Sequence, residues 1–211
     1  GMSETALLQT RGLSCTRNDR VLFEQLDFRL EAGQMLVVEG PNGSGKTSLL
    51  RILTGLGLAD SGEILWRGTP IDRLAGNYYE QVAYVGHHDG VKHELSCLEN
   101  LRLARAMGVP SEQDLDDVLE LVNLYTYGET EAGSLSAGQK RRLALARLLA
   151  TDSILWILDE PFTSLDRDSM AMFASLFEQH LEQQGLIVMT SHHDISLPGQ
   201  SVQRLHLGAP A

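Results

Sequence analysis

The sequence predicts an α/β fold of phosphate-loop type: a mostly parallel core sheet flanked by helices, with an early β-rich part and a helical part in the middle. Three observations predict it. Gly40-Pro41-Asn42-Gly43-Ser44-Gly45-Lys46-Thr47 fits the pattern Gly, any four, Gly-Lys-Ser/Thr at every fixed position. The run before it, Met35-Leu36-Val37-Val38, is apolar and part β-branched, and Ser48–Leu53 after it has no breaker, so the loop joins a buried strand to a helix. Further on, the wholly apolar Ile154–Leu158 ends in Asp159-Glu160-Pro161, and helix-like and strand-like runs follow it.

Taken in order, residues 5–10 and 20–30 read as short strands, the second with Leu26, Phe28 and Leu30 alternating with Asp27 and Arg29. Glu31–Gln34 is a turn that feeds the phosphate-loop strand, and Ser61–Trp66 and Gln81–Val85 resume as strands. From Cys97 to about Leu124 the pattern is helical. Leu115, Val118, Leu119 and Val122 fall at i, i+3, i+4, i+7 as a core-facing stripe, with Asp114, Asp116, Asp117 and Glu120 on the other face and a cap between Ser111 and Asp114. Leu143–Ala150 reads as a helix, as do residues 167–184, with a strand over 186–190 and a weak last strand over 202–207. There is no internal repeat or low-complexity segment, so residues 2–211 are expected to form one domain with a helical subdomain over about 95–150.

Composition excludes several function classes. A formal net charge of −11 argues against wrapping nucleic acid or lying on an anionic membrane by charge. Cys15 and Cys97 are far apart without CxxC spacing and read as reduced thiols of a cytosolic protein. No apolar run approaches ~20 residues, so no direct membrane insertion is expected. No signal sequence is expected either; Gly1, ahead of Met2, is set aside.

The chemistry follows from the loop. Gly40, Gly43 and Gly45 let the backbone curl with its N–H groups inward, and the following helix adds its positive end, which makes an anion nest. Pro41, Asn42, Ser44 and Ser48 complete the nucleotide-binding set; Lys46 reaches the outer phosphates and Thr47 offers a hydroxyl to Mg²⁺. Asp159 ends an apolar strand, where ligands bind in open α/β sheets, and is a second candidate for Mg²⁺. Glu160, next in line, is the candidate general base that polarises a water toward the γ-phosphate.

Three further motifs, in that family's order, resemble the ATP-binding-cassette (ABC) ATPases. Leu135-Ser136-Ala137-Gly138-Gln139 is similar to that family's signature, usually Leu-Ser-Gly-Gly-Gln, with Ala137 in place of the first glycine. It precedes the Asp-Glu strand, as in the family; Ser164-Leu165-Asp166 resembles the D-loop, and His192 resembles the switch histidine that contacts the γ-phosphate. The resemblance covers nearly the whole chain. It implies ATP and Mg²⁺ as ligands, and a homodimer on ATP binding in which Ser136 and the Gly138 N–H of one copy close over the ATP on the other copy's loop.

Two positions depart from that family. Where an aromatic usually stacks on adenine, counting places Arg17, whose guanidinium can also stack on a base. Where the Q-loop glutamine is usual, His87 stands after Tyr84-Val85-Gly86, either as a weak metal ligand with a titration near neutral pH or as a loop residue facing solvent or a partner. His87, His88 and His93 do not have convincing spacing for a transition-metal or haem site. Gly86-His87, then Gly90-Val91-Lys92-His93-Glu94-Leu95 and Glu99-Asn100-Leu101, resemble the ATPase subunit of the cytochrome c biogenesis (haem-exporter) ABC complex. That implies integral membrane permease partners facing residues 87–101, a place on the cytoplasmic side of the inner membrane, and power for haem delivery or release of a haem-loaded chaperone. A soluble ABC protein acting on nucleic acid or ribosomes is the alternative reading; those usually carry two cassettes and basic surfaces, which this chain does not. A nucleotide-gated module with little hydrolysis is a third, raised by His87.

Overall fold

The computed structural model describes residues 6–88, 90–191 and 201–208, so His192 lies outside the described residues. Strands β1 (Leu8–Arg17), β2 (Arg20–Leu30) and β3 (Gln34–Glu39) lead into helix α1 (Lys46–Leu53). There follow β4 (Ser61–Trp66), β5 (Thr69–Pro70), the single-turn helices α2 (Ile71–Leu74) and α3 (Gly76–Tyr79), and β6 (Val82–Val85). Helices α4 (Cys97–Ala106), α5 (Leu115–Leu121) and α6 (Ala137–Ala146) fill the middle, and β7 (Leu155–Asp159), α7 (Arg167–Glu182), β8 (Leu186–Thr190) and β9 (Ser201–His206) complete the order.

The described strands form two sheets. One is antiparallel in the order β2-β1-β4-β5; the other is parallel in the order β6-β7-β8-β3-β9. The parallel strands are near-continuous apolar runs because both faces of that sheet are covered. Met35, Val37, Trp156, Leu158, Ile187 and Met189 point to one face, where α4, α5, α6 and α7 supply Leu101, Leu119, Leu143 and Phe177. Leu36, Val38, Leu155, Ile157, Leu186 and Val188 point to the other, against α1 and the antiparallel sheet, with Leu49, Leu53, Phe23 and Trp66. Each strand thus serves two cores through its two-residue side-chain period.

Several boundaries differ from the sequence reading. The first strand runs on to Arg17, past an expected stop at residue 10, because Gly12 takes φ 58 at a register shift between Thr10 and Leu13. That is a β-bulge, which kinks a strand without ending it. The expected single helical stretch from Cys97 to Leu124 is two helices, since α4 stops before Gly108-Val109-Pro110. The stripe Leu115, Val118, Leu119 and Val122 is buried as expected. Its cap is Asp114, which accepts from Asp116 N–H at 2.8 Å, while the Ser111 hydroxyl instead donates to the Leu149 carbonyl at 2.6 Å. The helix expected from Leu143 begins at Ala137, and Arg142 on it donates to the Val122 carbonyl at 2.8 Å, closing the end of α5. The turn-and-helix stretch over 69–79 was not anticipated; there Tyr78, buried, donates to the Leu53 carbonyl at 2.6 Å and braces the end of α1.

Candidate functional site

The phosphate loop leaves β3 and enters α1 through three glycines at positive φ: Gly40 (148°), Gly43 (82°) and Gly45 (102°). A Cβ on Gly40 would stand 2.4 Å from the Leu207 carbonyl oxygen and 2.7 Å from Ser44 Oγ, so no side chain fits there. Gly45 is the left-handed N-cap of α1; no side chain caps that helix and no acid lies in its first turn. Its first N–H groups are therefore left for an anion from outside the chain. Ser44 Oγ is buried and makes no hydrogen bond among the described residues, an arrangement a phosphate oxygen would satisfy. Lys46, largely buried, folds its ammonium back onto the Gly40 carbonyl.

The acidic end of the site is built by two adjacent strand tips, of β7 and β8, and the start of α1. Asp159 ends β7, and its carboxylate accepts from the Thr47 hydroxyl at 2.9 Å and from the Thr190 hydroxyl at 2.6 Å. The Thr190 hydroxyl also accepts the Glu160 N–H at 2.9 Å. Asp159 pairs with Thr190 in the parallel β7–β8 register, which is why a threonine at the end of β8 reaches it. The Thr47–Asp159 contact brings a hydroxyl and a carboxylate together at the cleft, the hard oxygen donors that Mg²⁺ takes.

Glu160 is largely buried and adopts φ 51, left-handed for a residue with a Cβ, a conformation that costs about 1–3 kcal/mol unless the surroundings hold it. Its surroundings include a buried guanidinium. Arg141 on α6 donates through Nη2 to the carbonyls of Asp159 (3.0 Å) and Glu160 (2.5 Å), through Nε to that of Pro161 (3.1 Å), and through Nη1 to that of Gly86 (3.1 Å). The sequence reading singled out neither Arg141 nor Thr190. The only sequence signal for Thr190 is a hydroxyl at the end of an apolar run, and strand adjacency had to be known to use it.

A cleft of about 540 Å³ runs along these groups, lined by Asn42, Lys46, Thr47, Ser48, Asp159 and Glu160, with Arg17 and Leu22 on the side toward the antiparallel sheet and His87 also on its wall. Arg17 donates to the Leu58 carbonyl at 2.7 Å and the Thr16 carbonyl at 2.8 Å, which fixes its guanidinium beside the cleft. His87 is exposed and meets His88 edge-on, with ring centroids 5.5 Å apart. It also borders a second cleft, of about 470 Å³, with His93, Lys140 and Ser164. Among the described residues, no three His, Cys, Asp or Glu side chains are grouped to hold a metal.

The signature stretch lies apart from this cleft. Leu135 is buried, but Ser136 and Ala137 are exposed and none of Leu135–Gln139 lines the phosphate-loop cleft. Ser136 caps α6: its hydroxyl accepts from Gln139 N–H at 3.1 Å, and its own N–H donates to the Gln139 side chain at 2.9 Å. The D-loop packs behind it, since a Cβ on Gly138 would meet the Ser164 carbonyl at 3.0 Å. Asp166 caps α7 by accepting from Ser169 N–H at 2.8 Å, and these bonds hold its carboxyl below the usual range; Leu165 is half-buried.

The stretch of residues 90–101 that resembles the cytochrome c biogenesis subunit is a set of joints. Ser96 and Glu99 form a capping box on α4, and Leu101 is buried. Buried Asn100 accepts from Lys92 N–H at 2.8 Å and donates to the Lys92 and Ser96 carbonyls at 3.0 and 2.9 Å. Backbone bonds from Gly133 N–H to the His93 carbonyl and from Ala132 N–H to the Leu95 carbonyl, each 2.9 Å, tie this segment to the loop that enters the signature.

Comparison with known proteins agrees with this geometry. The family model described as ABC transporter matches residues 23–163. The chain is 47% identical over 197 residues to the "Cytochrome c biogenesis ATP-binding export protein CcmA" of Nitrosospira multiformis, covering 92% of this chain and 96% of that protein. The protein of the same name from Methylococcus capsulatus is 47% identical over 196 residues, covering 92% and 95%. Among solved structures, an ABC transporter ATP-binding protein from Pyrococcus furiosus superposes with a TM-score of 0.81 at 25% identity, over 95% of this chain and 96% of that one.

Proposed function

Because the chain belongs to the ABC transporter family of ATP-binding subunits, we propose that it hydrolyses MgATP between two copies of itself to drive the export step of cytochrome c biogenesis. As a family member it is an ATPase. The observation that carries the site assignment is the contact of Thr47 with Asp159 beside the glycine loop, with Glu160 next in the chain. The loop N–H groups and Lys46 bind the triphosphate, and Lys46 stabilises the charge on the transferring phosphoryl group. Thr47 and Asp159 would hold Mg²⁺, whose chemistry there is to neutralise charge on the phosphate oxygens. Glu160 takes the proton from the attacking water. His192 is assigned the γ-phosphate contact by motif alone.

The exposure of Ser136 and Ala137 supports the two-copy arrangement, since a site half of which faces outward is completed by a symmetric neighbour. Arg17 and Leu22 are assigned the base end of the nucleotide, and His87 a wall of the cleft. The 47% identity to proteins named for cytochrome c biogenesis export supports that system, and the family resemblance adds haem or a haem-loaded chaperone as what is moved. Among the described residues no helix is long and apolar enough to cross a membrane, so permease subunits supply the pathway and this chain docks on them at the membrane surface, through residues 87–101. A nucleic-acid role has the acidic charge of −11 against it.

The test is Glu160→Gln. ATP binding is retained, a stable ATP-bound dimer accumulates in size-exclusion chromatography, and hydrolysis falls by about 100-fold or more. A variant that turns over ATP at the parent rate removes Glu160 from its assigned role.

A further inference from the structure

We infer that Arg141 is a positioning residue for Glu160, holding the backbone turn that aims the base and linking that turn to the signature helix. The inference rests on the reading of Glu160 as general base. Three consecutive carbonyls, of Asp159, Glu160 and Pro161, converge on one guanidinium. An extended strand alternates its carbonyls from side to side, so three in a row on one side need a break in the strand. Glu160 at φ 51 is that break. The left-handed residue and the arginine are therefore one device: the turn gathers the acceptors, and the donors keep the turn.

The chemistry requires arginine. The guanidinium is planar and offers five N–H donors in a fixed fork, and here four bonds to four carbonyls use Nε, Nη1 and Nη2. A lysine ammonium has three donors on one atom and cannot span acceptors spread over residues 86, 159, 160 and 161. The fourth acceptor, the Gly86 carbonyl, lies next to His87, so the same side chain also fixes the wall of the cleft opposite the loop. Arg141 stands one turn into α6, whose first residues are the signature. A helix is stiff over that length, and the Ser164 carbonyl abuts Gly138. Movement of the signature end against a neighbouring molecule is thus transmitted to the base of the chain's own site. The four bonds go to backbone carbonyls, that of Asp159 among them, rather than to the Asp159 carboxylate or the groups of the phosphate loop, so the effect is expected on turnover more than on nucleotide affinity.

The test compares Arg141→Lys, Arg141→Gln and Glu160→Gln in whichever full-chain preparation, isolated or with its membrane partners, hydrolyses ATP. Folding is checked by circular dichroism, affinity by equilibrium ATP binding, and kcat by phosphate release. The expected result is a loss in kcat of about 30-fold or more in both arginine variants, with ATP affinity within about threefold of the parent. Adding Arg141→Lys to Glu160→Gln should lower kcat no further, because the positioned group is already gone. Should Arg141→Gln not fold, Arg141→Lys, which keeps the charge, decides alone. A folded Arg141→Lys at the parent kcat, a parallel fall in affinity and kcat, or full additivity with Glu160→Gln each overturns the inference. Glu160→Gln at the parent rate overturns the base reading itself, a result distinguishable from the others.

Discussion

Two ends of the same molecule treat their polar groups in opposite ways. At the tips of β7 and β8 and the start of α1, Thr47, Asp159, Thr190 and Glu160 N–H form a continuous chain of hydrogen bonds beside a helix end that has no cap. At the start of α6, Ser136 and Ala137 of the signature face solvent, and Ser136 spends its hydroxyl on its own helix. Among the described residues, the first region joins its groups within one chain and leaves Ser44 Oγ and the first N–H groups of α1 for an anion. The second has its helix capped and presents an exposed serine and alanine, with Gly138 half-buried behind them. A built half-site beside an outward-facing one is what a two-fold assembly needs, since each copy then offers what the other lacks.

The contrast breaks first at Gly40. Gly40→Ala places a methyl against the Leu207 carbonyl and Ser44 at a φ of 148°. We expect ATP binding to fall by about 100-fold or more, measured by equilibrium titration, because the loop itself must open. Next is Gly138→Asp, which pushes a charged side chain toward the Ser164 carbonyl and toward a neighbour's phosphates. Here the single chain should bind ATP within about threefold of the parent, while the ATP-dependent dimer disappears from light scattering and turnover drops by about 100-fold. If Gly138→Asp instead weakened ATP binding in the single chain, the two regions would not be separate halves.

The smallest expected effect lies away from both regions and serves as a control. His180 on α7 stacks on Trp156 with centroids 3.7 Å apart and planes within 6°, and its Nε2 lies 2.8 Å from the Ile154 carbonyl oxygen. Burial pushes its pKa below the ordinary imidazole value, against the raising effect of that carbonyl. The fold thus favours the neutral ring. Its contribution is full above about pH 6.5, where the unfolded histidine is also neutral, and is lost as pH falls toward the lowered folded value. The melting midpoint of the parent should fall with acidification below about pH 6.5 more than that of His180→Phe, with dimerisation on ATP unchanged at neutral pH. Equal acid sensitivity in both would remove His180 as the cause.

Most of the parallel core was legible because its strands are apolar without alternation, and the phosphate loop because its glycines have a conformational reason to be there. A serine start for the signature helix was legible in the sequence, and the structure adds Gln139, which closes the capping box from the other side. What stayed hidden is non-local. Thr190 matters because β8 lies beside β7, and Arg141 because three carbonyls far along the chain turn toward it. No spacing rule connects such residues. The bulge at Gly12 and the helix break before Pro110 were misread for a related reason: local breakers say that the chain bends, and neighbouring elements decide whether the element continues beyond the bend.

The way β3, β7 and β8 divide their side chains has a consequence for how the protein melts. Because neighbouring residues of one strand belong to different cores, neither layer of helices or sheet is able to peel away while its counterpart stays intact. Loss of order on one side strips half of each central strand's support, so the two layers of this chain are expected to melt together. Its most protected amides in exchange with heavy water will be those of the shared strands.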